Sequence, residues 1–283
     1  KTTFQLMAMN NQFSFSRVLL LLRKNFKENG KSYLLMFIAG FGIILLIYGL
    51  LIVAGLHNMF PSGDRKMLFT IGLFLGGTLF SASFYSFFKS QPKTIQFLLL
   101  PATTGEKLLI GFILTQIVYI IVFLISFTSI DWFMCTIYNE YVSVPKWIIE
   151  QEKHYYKAVY LFNTDTVLVK QILVMYFITT SIAHLGSLSF INNAYVKTVI
   201  LFILTVVALI FFNNKMLGLM IPEPIMPYGK YFTETFRIGT IQQPTGSVTL
   251  PSFWHTTIAW FLPIFIYLSC WTMSYFKIKE KQI

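Results

Sequence analysis

Charged residues are scarce in this chain. Only 12% of its 283 residues are Asp, Glu, Lys or Arg, whereas a soluble globular domain carries about 25%. Hydrophobic residues make up 55% of the chain, and the mean hydropathy is +0.66. This composition excludes an ordinary soluble domain and predicts an integral membrane protein.

Cysteine and catalytic motifs are also scarce. Cys135 and Cys270 have no vicinal partner, so we expect inert packing thiols. The motifs H-E-x-x-H, G-x-S-x-G and C-x-x-C do not occur. Gly30-Lys31-Ser32 resembles the end of a Walker A loop, but Asn25 stands where that loop needs a glycine. We therefore expect no catalytic residue, metal site or cofactor in this chain, and no nucleotide binding by it.

Long apolar runs dominate the chain instead. A helix needs about 20 apolar residues to cross the hydrocarbon core of a bilayer. The sequence predicts an all-α integral membrane protein with about six spans, at residues 34–56, 68–88, 108–130, 171–191, 194–212 and 254–276.

The distribution of Lys and Arg predicts the orientation. Segments 1–33, 89–107, 192–197 and 277–283 hold 13 of these cations in 65 residues, and the remaining connections hold 9 in 92. Because cations concentrate on the cytoplasmic side, we expect both termini to be cytoplasmic. The net charge of +11 then reflects topology and attraction to anionic lipid. It does not indicate a nucleic-acid partner.

Residues 1–33 form the expected N-terminal tail and interfacial helix. Residues 14–31 are amphipathic, and Gly30 is a candidate for the end of that helix. The basic face would attract anionic headgroups. A simple basic anchor next to the first span fits the same residues. The apolar face holds Phe15, Val18, Leu19, Leu22 and Phe26, and the basic face Arg17, Lys24, Lys27 and Lys31.

The connection between the second and third predicted spans contains a helix start. Thr103 stands three residues before Glu106, the spacing of a capping box, so a helix should begin near Thr104. Pro101 prevents the preceding segment from continuing as a helix. Any protein with several spans could cap a helix in this way.

Two further features lie within the predicted spans. Gly72 and Gly76 have the G-x-x-x-G spacing that lets helices approach closely, either within one chain or across a dimer. His184 is ionisable and lies in an apolar span, so it needs a polar partner or a cavity. We expect it either to line a pathway or to donate a hydrogen bond between helices, with Thr180, Ser181 and Ser187 nearby.

These motifs resemble those of type-2 ABC transporter permeases, especially a small Bacteroidetes-like group with six spans. The group's Leu-Pro-Ala-Ser-x-x-Glu-Lys motif is matched by Leu100 to Lys107, with Thr103 in place of serine. A second match, to a Gly-x-x-x-Phe…Asn-Ala-x-x-Lys-Thr turn, consists of Gly186, Phe190, Asn193, Ala194, Lys197 and Thr198.

The resemblance implies a transport subunit, most simply of an exporter, that hydrolyses nothing itself. ATP and Mg would bind a separate ABC ATPase, and a second permease copy or paralogue would complete the pathway. The 94–107 turn would couple the two proteins through Pro101, Thr103, Glu106 and Lys107. The alternatives are a membrane scaffold or sensor subunit that does not transport and, with least support from the residues, a membrane hydrolase.

Overall fold

The structure is a computed structural model that describes residues 13–54, 62–141, 166–190, 192–220, 227–228, 235–240, 243–249 and 252–281. Eight α-helices account for most of these residues. They are α1 (Phe15–Ala54), α2 (Ser62–Phe84), α3 (Gln91–Leu98), α4 (Thr104–Phe112), α5 (Tyr119–Tyr141), α6 (Thr166–Ser189), α7 (Ala194–Met220) and α8 (Ser252–Glu280).

Six helical stretches among the described residues are long and apolar enough to cross a membrane. They confirm the predicted fold class of an all-α protein with several spans. They are Phe15–Val53, Gly63–Phe84, Thr104–Glu140, Ile172–Ser189, Ala194–Phe212 and Trp260–Glu280.

The first helix is longer than the sequence predicted. α1 runs without a break for 40 residues, so the predicted helix end at Gly30 is wrong. One glycine inside a helix costs only about 1 kcal/mol, which the flanking helix can offset. At 1.5 Å per residue α1 is about 60 Å long, twice the thickness of the hydrocarbon core. Its basic N-terminal half is therefore continuous with the first span.

The third span is irregular. α4 and α5 are joined by a π-helical turn, Ile113–Val118, so the helical stretch extends well beyond the predicted 108–130. The second span lies earlier in the chain than the predicted 68–88, because α2 begins at Ser62 and ends at Phe84, and a 3-10 turn, Ser86–Lys89, follows.

A small antiparallel sheet lies between α7 and α8 in sequence, and the sequence analysis did not predict it. Its strands β1 (Pro227–Tyr228), β2 (Thr235–Thr240) and β3 (Gln243–Thr249) pair in the order β1-β2-β3, with a bulge between Ile238 and Gly239. The β-branched residues of β2 and β3 favour strands. These strands are only six and seven residues long, so they are easily overlooked beside the long apolar spans.

The core consists of two clusters at opposite ends of the bundle. One surrounds Tyr48, Leu73 and Phe127, and the other joins Val18, Phe84, Tyr85, Ile110 and Ile278. α6 packs against α2, α7 and α8 and is the most buried span, whereas α7 is almost entirely exposed. The exposed face of α7 is thus left for lipid or another chain.

Candidate coupling turn and polar cluster in the spans

The capping box predicted in the 94–107 turn is present. The Glu106 amide donates to Thr103 Oγ1 at 3.3 Å, and the Thr103 amide donates to Glu106 Oε2 at 2.8 Å. α4 begins at Thr104, as predicted. Both bonds satisfy amides that have no acceptor within the helix.

Glu106 also fastens this turn to the start of α1. Its Oε1 accepts from the Ser14 amide at 2.7 Å and from Arg17 Nη2 at 3.0 Å. The Glu106 side chain is completely buried, and charge-assisted bonds of this kind are stronger than neutral ones. The turn and the N-terminal half of α1 are therefore held together.

This burial corrects the role expected for Glu106 and Lys107. The resemblance implied that Glu106 helps to couple this chain to an ATPase, but its carboxylate pairs with Arg17 of the same chain. Lys107 is only 1% exposed, and its Nζ donates to the Leu98 carbonyl at 2.8 Å. Both residues shape the turn from inside and are not available as a docking surface.

Other residues form the outer surface of the turn. Leu99 is 77% exposed and Ile95 is 56% exposed, and Pro101 is exposed beside them. The sequence analysis identified Pro101 but missed the other two. The signal was the spacing of four between Ile95 and Leu99, which places both on one helix face.

The opposite side of α3 is anchored in the bundle. The Phe97 ring lies 4.9 Å from Phe87 and 5.8 Å from Phe88, measured between ring centroids. Lys107 Nζ lies 5.6 Å from the Phe97 centroid, a cation–π contact. These contacts fix α3 with Ile95 and Leu99 facing outward.

A cavity of about 340 Å³ separates α3 from α1. Lys24, Glu28, Lys93 and Gln96 give it a polar rim, and Lys24 pairs with Glu28 at 3.7 Å. The cavity leaves space between α3 and α1, while the bonds of Glu106 fasten the start of α4 to α1.

The π-helical turn places an amide in the centre of the bundle. Gln116 is fully buried; its Oε1 accepts from the Tyr267 hydroxyl of α8 at 2.8 Å, and its Nε2 donates to Ser181 Oγ of α6 at 3.0 Å. π-turns inside α-helices often mark functional sites. Gln116 connects three spans, and the sequence analysis missed it because its partners are far away in the sequence.

His184 is completely buried on α6, but not in the way we expected. Its ring packs against Trp271 at 4.7 Å and Tyr85 at 4.9 Å between centroids. Neither ring nitrogen has a hydrogen-bond partner among the described residues, so these residues do not provide the expected bond between helices. Ser187 Oγ donates to the backbone carbonyl of His184, not to its ring.

Gly72 and Gly76 pack within the chain. A Cβ at Gly72 would meet the Phe123 ring at 3.2 Å, and one at Gly76 would overlap the Tyr119 hydroxyl. That hydroxyl donates to the Gly72 carbonyl at 3.3 Å. The face is thus filled by the third span, which is the intramolecular alternative, and it is not left open for a dimer.

The second motif forms the α6–α7 connection. A Cβ on Gly186 would overlap Thr198, so the spacing of these residues allows close approach of the two helices. Asn193 adopts a positive φ of 52°, a conformation that asparagine tolerates. Lys197 Nζ lies 5.7 Å from the Phe190 ring centroid.

A buried ion pair lies at the other end of the bundle. Arg65 Nη1 is 2.9 Å from Asp131 Oδ1, which also accepts from the Tyr48 hydroxyl at 2.8 Å. The sequence analysis placed both residues outside the spans and missed the pair. An acid that directly follows a long apolar run was the available signal.

The chemistry of these groups is that of binding and positioning. No cluster of three His, Cys, Asp or Glu side chains that could hold a metal occurs among the residues that the structure describes. In comparisons with family models, curated proteins and solved structures, no family, protein or structure matched this chain. The functional interpretation therefore rests on the residues and their geometry.

Proposed function

We propose that this chain is the transmembrane permease subunit of an ABC transporter, an exporter, and that a separate ATPase docks on the 94–107 turn. The observation that carries the proposal is the short helix α3 between the second and third spans, which exposes Ile95 and Leu99 while Glu106 fastens its turn to α1. Apolar side chains that are exposed together in a connection between spans are candidates for an interaction site.

The same contacts offer a route for movement. A displacement of α3 would reach α1 through the bonds of Glu106 to Ser14 and Arg17. It would also reach α6 and α8, because α4 continues into the π-turn that holds Gln116 against both helices. Docking at one end could thereby alter the packing of four spans.

In this scheme ATP and Mg bind the ATPase, and this chain provides the membrane path. A second permease copy or paralogue would complete that path against exposed helix faces such as that of α7. Both termini would be cytoplasmic, as the distribution of cations favours. The resemblance to bacterial permeases implies that the membrane is a bacterial inner membrane.

Site-specific crosslinking in the native host tests the proposal. A photoreactive phenylalanine analogue at Leu99 should crosslink to a chain that binds and hydrolyses Mg-ATP. The control is the same analogue at Trp132, which is 59% exposed and lies near Asp131 at the other end of the bundle. If position 99 captures no ATPase, or both positions capture it equally, the docking site is wrong and a scaffold or sensor role is favoured.

A further inference from the structure

A second cavity lies where the α6–α7 connection meets the ends of α2 and α8. Its volume is about 300 Å³. Its lining is largely apolar, carries two lysines and several hydroxyl or amide side chains, and includes no carboxylate. Among its polar side chains are those of Ser83, Ser86, Lys89, Asn193 and Lys281.

The two lysines give this cavity a positive charge. Lys281 Nζ lies 4.2 Å from the Phe88 ring centroid, and neither lysine has a carboxylate within 4 Å among the described residues. The adjacent Glu280 pairs with Lys277 at 2.8 Å. The lysine charges are therefore available to an anion.

An apolar groove of about 360 Å³ adjoins the cavity. Tyr195 lines both, and the groove runs between α2, α6 and α7 past Leu75, Ile182 and Phe202. The hydroxyls of Thr179 and Thr198 in its wall donate to carbonyls of their own helices, so the surface presented to a ligand is apolar.

We propose that the cavity and the groove together bind one anionic phospholipid, with its phosphate between Lys89 and Lys281 and an acyl chain between α2 and α7. A charged pocket that continues into an apolar groove on the membrane-facing surface fits an amphipathic anion. A soluble anion would leave the groove unused, and a zwitterionic lipid would leave the positive charge uncompensated. The inner leaflet, where the sequence pattern places both lysines, is the anionic one.

Native mass spectrometry of the delipidated full chain in detergent tests this proposal. We expect phosphatidylglycerol to bind more tightly than phosphatidylcholine. Lys89→Gln combined with Lys281→Gln should weaken binding of phosphatidylglycerol about thirtyfold, at about 1 kcal/mol per lysine. The matched control, Lys93→Gln with Lys279→Gln, removes the same charge at exposed positions outside the cavity and should change binding less than threefold.

A groove variant and a headgroup probe separate the other outcomes. Leu75→Trp should fill the groove and weaken phosphatidylglycerol binding while leaving both lysines in place. Inorganic phosphate at millimolar concentration should not compete. Equal binding of the two lipids, undiminished binding by the double lysine variant, competition by phosphate alone, or a dimer that binds no lipid would each overturn the proposal. Unchanged melting temperatures without lipid would show that the variants fold.

Discussion

At the scale of single residues, Glu106 shows that a local sequence pattern predicts contacts with near neighbours in the chain but not contacts with distant residues. The sequence predicted its cap on Thr103, because a capping box is a contact over three residues. It did not predict Ser14 and Arg17, since Ser14 lies 92 residues away in the sequence. The structure thus changes Glu106 from a surface contact into a buried fastening.

The first prediction concerns this carboxylate. Glu106→Ala removes the cap, the bond from the Ser14 amide and the ion pair with Arg17, so it should cost about 3 kcal/mol, more than the 0.5–2 kcal/mol of a simple cap. Thermal unfolding in detergent measures the change. Asp64→Ala, at an exposed position at the start of α2, is the control and should change stability little. A loss near 1 kcal/mol for Glu106→Ala would mean that the contact with α1 contributes nothing.

A second prediction concerns the glycine face of α2. Gly76→Val should displace Tyr119 and destabilise the protein by about 1–3 kcal/mol, because a well-packed interior accommodates added methyl groups poorly. Gly40→Val is a matched control, since nothing lies within 4 Å of a Cβ there. If Gly76→Val left thermal stability unchanged but abolished a dimer, Gly76 would lie at a dimer interface and not in the interior of the chain.

At the scale of elements, periodicity predicted the spans well and their irregularities poorly. Apolar runs identify a helix, but Gly30 did not end α1, because the cost of one glycine is small. The π-turn at Ile113–Val118 leaves no mark in composition, and the bonds of its Gln116 to α6 and α8 join residues that are far apart in the sequence.

The π-turn gives the third prediction. Gln116→Leu removes the bonds to Ser181 and Tyr267 and should lower the free energy of unfolding by about 1–2 kcal/mol, given about 0.6 kcal/mol for an average side-chain bond between membrane helices. Thr128→Val removes an exposed hydroxyl that bonds only within its own helix, and it should have little effect. In a double-mutant cycle with Tyr267→Phe, strictly additive losses would contradict the contact between the third and sixth spans.

At the scale of the whole molecule, composition was sufficient for the fold class, because few charges and long apolar runs leave no other stable arrangement. The residues of the candidate docking surface were only partly predictable. Pro101 is readable as a helix breaker, but exposure of Ile95 and Leu99 depends on which face of α3 the Phe97 cluster buries.

Orientation gives the fourth prediction. Asp64→Cys places an exposed thiol at the start of α2, and Gln91→Cys places one at the start of α3, beyond the other end of the second span. The native Cys135 and Cys270 are buried. In intact cells a membrane-impermeant maleimide should label position 64 and not position 91. The reverse pattern would invert the topology and put the 94–107 turn out of reach of a cytoplasmic ATPase.

The most direct test of coupling is ATP hydrolysis by the complex of this chain with its ATPase in lipid nanodiscs. Leu99→Glu places a charge in the exposed apolar surface and should lower hydrolysis at least tenfold, because a buried leucine at an interface contributes about 1.5–3 kcal/mol. Gln91→Glu adds the same charge at an exposed position on α3 and should leave hydrolysis within twofold of the unmodified chain. Equal hydrolysis by the Leu99→Glu complex and the unmodified complex would contradict the assignment of the 94–107 turn as the coupling element.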